Sequence, residues 1–255
     1  MNGSGLQERL HRARLLLGDE VMHALAETRV ILFGTGGVGS WCAEALVRSG
    51  VLHLTVVDFD TVSASNVNRQ MMATARTVGQ VKVDVLRERL LEINPDAEIV
   101  AVRKTFSAED ADTFNLGSYD YIIDAIDSLK DKAQLILSAC ETGATLFSSM
   151  GAALKTDSTR IAVAEFWNVR GCPLGAALRK MLRKSGRMPA KKFQCVYSEE
   201  VQHNRCQSEG EQANGSLMHI TAIFGCTLAG LLIRDVAETS HSSDCLNALG
   251  HSELR

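Results

Sequence analysis

Gly34, Gly36 and Gly39 fit the pattern G-x-G-x-x-G directly after the apolar run at 30–33, and Asp58 closes the next apolar run at 53–57. Glycines at this spacing let backbone N–H groups approach phosphate. A helix starting there adds free N–H groups and a positive dipole end, and an acid at the end of the next strand can accept ribose hydroxyls. Taken alone, the loop suits NAD or ATP equally. The pattern G-x-x-x-x-G-K-[ST] is missing, which argues against a P-loop ATPase.

Further chemistry lies downstream, in Asp58-Phe59-Asp60, Ser65-Asn66-Val67-Asn68-Arg69-Gln70, Val78-Gly79-Gln80-Val81-Lys82-Val83 and Asp124-Ala125-Ile126-Asp127-Ser128. A hydride-transfer site binds a pyrophosphate and needs no additional arginine, lysine and acidic pair. Cleaving ATP between its α- and β-phosphates develops charge on the leaving pyrophosphate. Arg69, Lys82 and a Mg²⁺ held by a carboxylate would neutralise that charge. Singly, each residue has a plainer role: Arg69 as a loop charge, Lys82 as a solvated helix position, Asp127 as a helix N-cap. Together, at successive carboxyl ends of parallel strands, they converge on the crevice where such sheets bind ligands.

The elements that must position these residues follow from hydrophobic spacing. Apolar runs at 30–33, 53–57, 98–102, 121–124 and 145–148 read as buried strands. Between them, helical spacing predicts helices at 6–26, from the glycines to 49–50, and at 78–93, 108–114 and 130–141. The alternation predicts an α/β fold, a Rossmann-like, doubly wound and mostly parallel sheet with helices on both faces. After Gly151 the pattern changes. Residues 160–167 alternate like an antiparallel strand and 193–198 resemble another, so the sheet is expected to continue into antiparallel strands. Helices are expected at 173–184 and 217–236. We expect one domain over 1–255, with a nucleotide-binding half at 6–150, a substrate and dimer half at 151–238, and a loose polar tail at 239–255.

Lys and Arg number 27 against 30 Asp and Glu, a formal charge of −3, so polyanion binding by the whole surface is excluded and any such site must be local. The seven cysteines are scattered with no Cys-x-x-Cys pair, as expected of reduced cytoplasmic thiols. The N-terminus shows no secretion signal. The longest apolar run, 220–233, falls short of the roughly 20 residues a membrane span needs and reads as a buried helix.

The combination G-x-G-G-x-G (Gly34 to Gly39, including Gly37), D-x-D, S-N-x-N-R-Q, V-G-x-x-K-V and D-A-I-D-S resembles the ubiquitin-activating-enzyme superfamily, in its small bacterial branch that adenylates carboxylates. The resemblance covers 8–236. It implies that Asp58 holds the ribose, that Asn68, Arg69 and Lys82 hold the phosphates, and that Asp127 holds Mg²⁺. Asp60, Asn66 and Gln70 belong to the same nucleotide-binding motifs. Arg9-Leu10-His11-Arg12 is similar to the family's R-Y-x-R element, with Leu10 where the pattern has tyrosine. It implies a homodimer in which Arg12 reaches into the partner's ATP site. The zinc cysteines of many family members are missing, so no zinc is expected.

Within the superfamily, Gly36-Gly37-Val38-Gly39-Ser40-Trp41, the segment from Pro173-Leu174 through Leu178-Arg179 and Leu182-Arg183, Cys195-Val196-Tyr197-Ser198-x-Glu200 and Gly215-Ser216 are similar to members that cyclise threonylcarbamoyladenosine in tRNA. That likeness implies adenylation of the threonyl carboxylate followed by intramolecular closure, which needs no enzyme thiol. Cys172 and Cys206, expected in loops, are the cysteines a sulfur-transfer protein could use. From Arg170 to Lys192 the chain carries Arg179, Lys180, Arg183, Lys184, Arg187, Lys191 and Lys192 without one Asp or Glu, a local excess that an RNA backbone could use. Two other readings stand beside this one. One is adenylation of the C-terminus of a ubiquitin-like sulfur carrier; the other is an NAD-dependent oxidoreductase.

Overall fold

The computed structural model of the chain describes residues 8–206 and 213–250, the last ten by backbone alone. Its apolar runs form one seven-stranded sheet: β1 (Arg29–Phe33), β2 (His53–Val57), β3 (Glu98–Val102), β4 (Tyr121–Asp124), β5 (Thr145–Ser149), β6 (Ile161–Glu165) and β7 (Gln194–Ser198). The spatial order is β3-β2-β1-β4-β5-β7-β6, parallel throughout except for the edge pair β6–β7. The strand order reverses between β1 and β4, which opens a crevice beyond their carboxyl ends.

Alternation along the strands explains the two cores. Val30 and Leu32 face one side with α1 (His11–Glu27), α2 (Gly39–Arg48), α3 (Lys82–Ile93) and α6 (Met218–Gly250). Ile31 and Phe33 face the other, with α4 (Leu129–Cys140), α5 (Pro173–Ser185), Phe106 and Phe114. Strands covered on both sides are apolar at nearly every position, which is why they read as continuous runs.

Several boundaries differ from expectation. α1 bends at Gly18, whose φ of 80° leaves the helical region; residues 6 and 7 of the expected helix lie outside the described part. α3 begins at Lys82, not at 78, because Gly79 has φ 89° and Val81 bridges to Thr61. The helix expected at 108–114 is two short 3₁₀ turns, Ala111–Phe114 and Leu116–Ser118, parted by Asn115 at φ 44°. Ser107 and Asp110 bond each other and the local backbone there, competing with a longer helix.

α6 runs to Gly250, so the part of the tail at 239–250 expected to be loose is helical; 251–255 lie outside the described residues. Its stretch Met218–Ser240 is long and apolar enough to cross a membrane by length and composition. However, Ile220, Phe224, Leu228, Leu232 and Val236, one stripe at helical spacing, are buried in the core. α6 therefore serves as a core helix.

Candidate active site

The glycine loop sits at the crevice because its neighbours leave no space for side chains. A Cβ on Gly34, at φ 87°, would lie 2.6 Å from the Ala125 carbonyl oxygen and 3.1 Å from the Ile126 nitrogen. The loop after β1 and the turn after β4 therefore touch through bare backbone. On Gly37 a Cβ would meet Thr221 at 3.1 Å and the Arg69 side chain at 3.3 Å. Beside Gly36 stands the amide of Gln70, a residue 5% exposed whose Oε1 has no partner among the described residues. An orphan buried acceptor next to an open glycine is the environment a donor group of a ligand would complete.

Asp58 is oriented by the loop it serves. Thr35 donates to its Oδ2 from the backbone at 2.7 Å and from the hydroxyl at 3.0 Å, and the Asp60 backbone N–H donates to Oδ1 at 3.0 Å. The half-buried carboxylate keeps lone pairs for ribose hydroxyls. Phe59, beside it, is more than half exposed and offers an apolar face that spacing alone did not single out.

The cations are arranged less simply. Arg69 donates to the Ser65 carbonyl and to Asn68 Oδ1, while Asn68 Nδ2 donates to the Ser216 carbonyl, so Asn68 ties Arg69 to the chain just before α6. Lys82 is buried and paired with Asp60 at 2.7 Å, instead of being a free phosphate ligand. Asn66 is a turn residue: its Oδ1 accepts the Ser63 N–H and its side chain is buried. Asp127 is exposed at the carboxyl end of β4 and forms no side-chain bond among the described residues. A free carboxylate is the donor type Mg²⁺ takes alongside phosphate oxygens, so the residue fits that ion.

The turn carrying Asp127 rests on Asp124 of the same motif and on two groups that sequence reasoning missed, Lys132 and Ser148. Asp124 and Lys132 form an ion pair at 2.7 Å with neither side chain exposed, and Ser148 donates to Asp124 at 2.6 Å. Breaking such a pair by removing one partner costs about 3–5 kcal/mol. A lysine in the apolar stretch of α4, beside Ala133, Leu135 and Ile136, was the available signal.

Beyond β5, the loop 150–157 is tied to the end of β7. Glu200 accepts from the Thr156 and Asp157 N–H groups, the Thr156 hydroxyl and Gln202. These bonds, the Asp157 N–H foremost, hold its carboxyl at about 2. Lys155, 4% exposed, donates to the Glu200 carbonyl, and burial pushes its ammonium below the usual lysine range.

The remaining expected residues lie elsewhere. Arg12 is exposed on α1 without a described partner. Its neighbour Arg9 pairs with Asp96 just before β3, and Leu10 packs at Gly50 just before β2. Arg12 thus stands at the amino edge of the strands, opposite its own chain's glycine loop. A cavity of about 450 Å³ there is lined by Arg9, Arg48 and Arg89, but each already has an acidic partner.

The basic segment descends from one edge to the other. α5 starts near Met150 and ends where Arg183 lies 5.3 Å over Trp167, beyond the last residue of β6. Arg179 donates to the Phe166 carbonyl, and Lys191 donates to the Thr142 and Ala144 carbonyls at the end of α4, so these two are largely engaged in the fold. Lys180, Lys184 and Lys192 are exposed and without a described partner. Cys172, expected in a loop, is buried at the start of α5, whereas Cys206 is exposed.

With this geometry in hand, comparison with known proteins is informative. The model of the ThiF family matches residues 9–250. A Bacillus subtilis protein, tRNA threonylcarbamoyladenosine dehydratase, is 40% identical over 189 residues, 74% of this chain and 74% of its own. The crystal structure of the E. coli tRNA N6-threonylcarbamoyladenosine dehydratase with AMP superposes with a TM-score of 0.87 at 29% identity, covering 95% of this chain and 99% of that one. The same enzyme with ATP gives 0.85 at 28% identity over the same shares.

Proposed function

The chain belongs to the ThiF family, and from that premise we propose that it uses ATP to cyclise threonylcarbamoyladenosine in tRNA. The observation that carries the reading is the convergence on one crevice of the bare Gly34–Ala125 contact, the oriented Asp58, the orphan Gln70 oxygen, Arg69 and the free Asp127. Gly34, Gly36, Gly37 and Gly39 give the phosphates access to backbone N–H groups, and Asp58 takes the ribose hydroxyls.

The threonyl carboxylate attacks the α-phosphorus, the bond from that phosphorus to the bridging oxygen breaks, and pyrophosphate leaves. The ureido group on the same nucleoside then attacks the acyl-adenylate carbonyl and expels AMP, with net loss of one water from the substrate. A nucleophile carried on the substrate itself reacts at high effective molarity. Arg69 and Lys82 stabilise charge on the leaving pyrophosphate, Lys82 while sharing Asp60. Asp127 would hold Mg²⁺, which supplies further neutralisation of that charge.

We assign 6–150 to nucleotide binding and 151–238 to substrate and dimer contacts. Since Arg12 stands at the amino edge of the strands, away from its own crevice, we assign it to the partner's site of a homodimer. The tRNA lies along α5 and the segment that follows it, where Lys180 and Lys184 of the helix and Lys192 beyond it meet phosphates and leave base choice to the crevice. Any sulfur-transfer partner would meet the exposed Cys206, since Cys172 is buried. We assign the protein to the cytoplasm, a compartment in which exposed thiols such as those of Cys206 and Cys226 stay reduced.

Mass spectrometry of tRNA nucleosides after incubation with ATP, magnesium and purified protein tests the reading. Loss of one water from threonylcarbamoyladenosine is expected. An unchanged nucleoside, with no AMP released, would overturn it.

A further inference from the structure

The ion pair Asp124–Lys132 touches no surface, and the chemistry proposed for the crevice gives it no task. Its burial does not explain itself as stability, because a fully buried pair at best roughly matches apolar residues of the same volume. What distinguishes it is where its hydrogen bonds go. Asp124 Oδ1 accepts the backbone N–H of Ile126 at 3.1 Å, and Lys132 Nζ donates to the carbonyl of the same residue at 2.9 Å. Ser148 from the neighbouring strand fixes the other carboxylate oxygen at 2.6 Å.

Both backbone polar groups of Ile126 are thereby held by one charged pair. The carbonyl that Lys132 holds belongs to the peptide joining Ile126 to Asp127. The preceding peptide of the same turn, Ala125–Ile126, abuts Gly34, where no Cβ would fit. The peptide leading into Asp127 is thus held by Lys132, and the one before it rests against the nucleotide loop.

We infer that Lys132 is a positioning residue for adenylation: it fixes the Ile126–Asp127 peptide and so the direction in which the Asp127 carboxylate enters the crevice. The consequence for turnover rests on the function proposed above; the clamp itself does not.

Removing the lysine alone would strand a buried carboxylate, so the informative variant is the double change Lys132→Met with Asp124→Asn. It leaves no buried charge, keeps Oδ1 as acceptor for the Ile126 N–H, lets the Ser148 hydroxyl accept from the new amide in place of donating to the carboxylate, and removes, with the ion pair itself, the bond to the Ile126 carbonyl. Three measurements are compared with the wild type: thermal unfolding, amide hydrogen exchange of a peptide covering 125–128, and the magnesium dependence of pyrophosphate exchange into ATP. We expect a cooperative fold, exchange at 125–128 faster by about tenfold while β1 keeps its protection, and a half-saturating magnesium concentration raised about tenfold. Lys132→Met alone should show the same local signature with a larger loss of stability. Wild-type exchange at 125–128 in the double variant, or loosening spread equally over β1, would overturn the inference. A wild-type protein that fails to form adenylate would overturn the proposed function while leaving the exchange comparison decisive for the clamp.

Discussion

Gly225 of α6 lies against the backbone of Cys42 in the first turn of α2: a Cβ at 225 would sit 2.8 Å from the Cys42 nitrogen and would also collide with the Val38 carbonyl. The last helix thereby buttresses the helix that starts at the nucleotide loop. Since both obstacles are backbone, neither can rotate away. Gly225→Ala is expected to cost about 1–3 kcal/mol of stability, lowering Tm by about 2–4 °C per kcal/mol, and to weaken ATP binding. Calorimetry with and without ATP checks both.

Asp127 is exposed and unpaired, so its loss should leave the fold untouched while removing a group from the chemistry. Asp127→Ala is expected to reduce pyrophosphate exchange by about 10²–10³ with an unchanged Tm. Lys82→Ala should lose a similar factor with only a small loss of stability, because the Asp60 carboxylate left behind is exposed enough for water to solvate it. Near-native turnover in both variants would refute their assignment.

If Arg12 serves the neighbouring subunit, two inactive variants should complement each other. Mixing Arg12→Ala with Asp127→Ala protein under conditions that allow subunit exchange should restore about a quarter of wild-type activity, from one intact site in each mixed dimer. No recovery, with exchange demonstrated, would show that Arg12 does not act across subunits.

Replacing Lys180, Lys184 and Lys192 together by Glu should weaken tRNA binding at low salt and flatten its salt dependence, while ATP binding stays unchanged. Filter binding across a salt series measures both. Adding Arg179 or Lys191 would confuse the result, since each donates to a carbonyl within the fold.

Glu200 should shape acid stability. Its folded value of about 2 lies below the usual carboxyl range near 4.5. Its contribution is therefore complete above the unfolded value and is lost as pH falls toward 2. Glu200→Gln is expected to lower Tm near neutrality and to show a shallower fall between pH 4.5 and 2. Parallel slopes for the two proteins in that window would contradict this.

The strands were readable because the doubly covered ones are apolar at nearly every position, and because β1, β2 and β4 run into glycine or aspartate. β2, β3 and β4 match the expected bounds to the residue. Segment 108–114 misled because its spacing fits one helical turn as well as two, and nothing in the spacing announces the left-handed Asn115. Lys82, taken singly, read as a solvated helix position and, within the motif, as a phosphate ligand; its pairing with Asp60 could not be read because the bridge of Val81 to Thr61, which starts its helix, is a tertiary event. The basic segment was visible as composition, but composition is blind to direction, and Arg179 and Lys191 turn inward. The Asp124–Lys132 pair joins a strand end to the next helix and became evident only once that helix had packed.

α5 spans thirteen residues, about 20 Å, from the carboxyl edge of the sheet to its amino edge. A ligand that meets both the crevice and the lysines at the foot of this helix must itself reach that far. On the proposed docking, a loose nucleoside would be too short to do so, and the helix would gauge its ligand by length, favouring a folded polynucleotide over its own breakdown products.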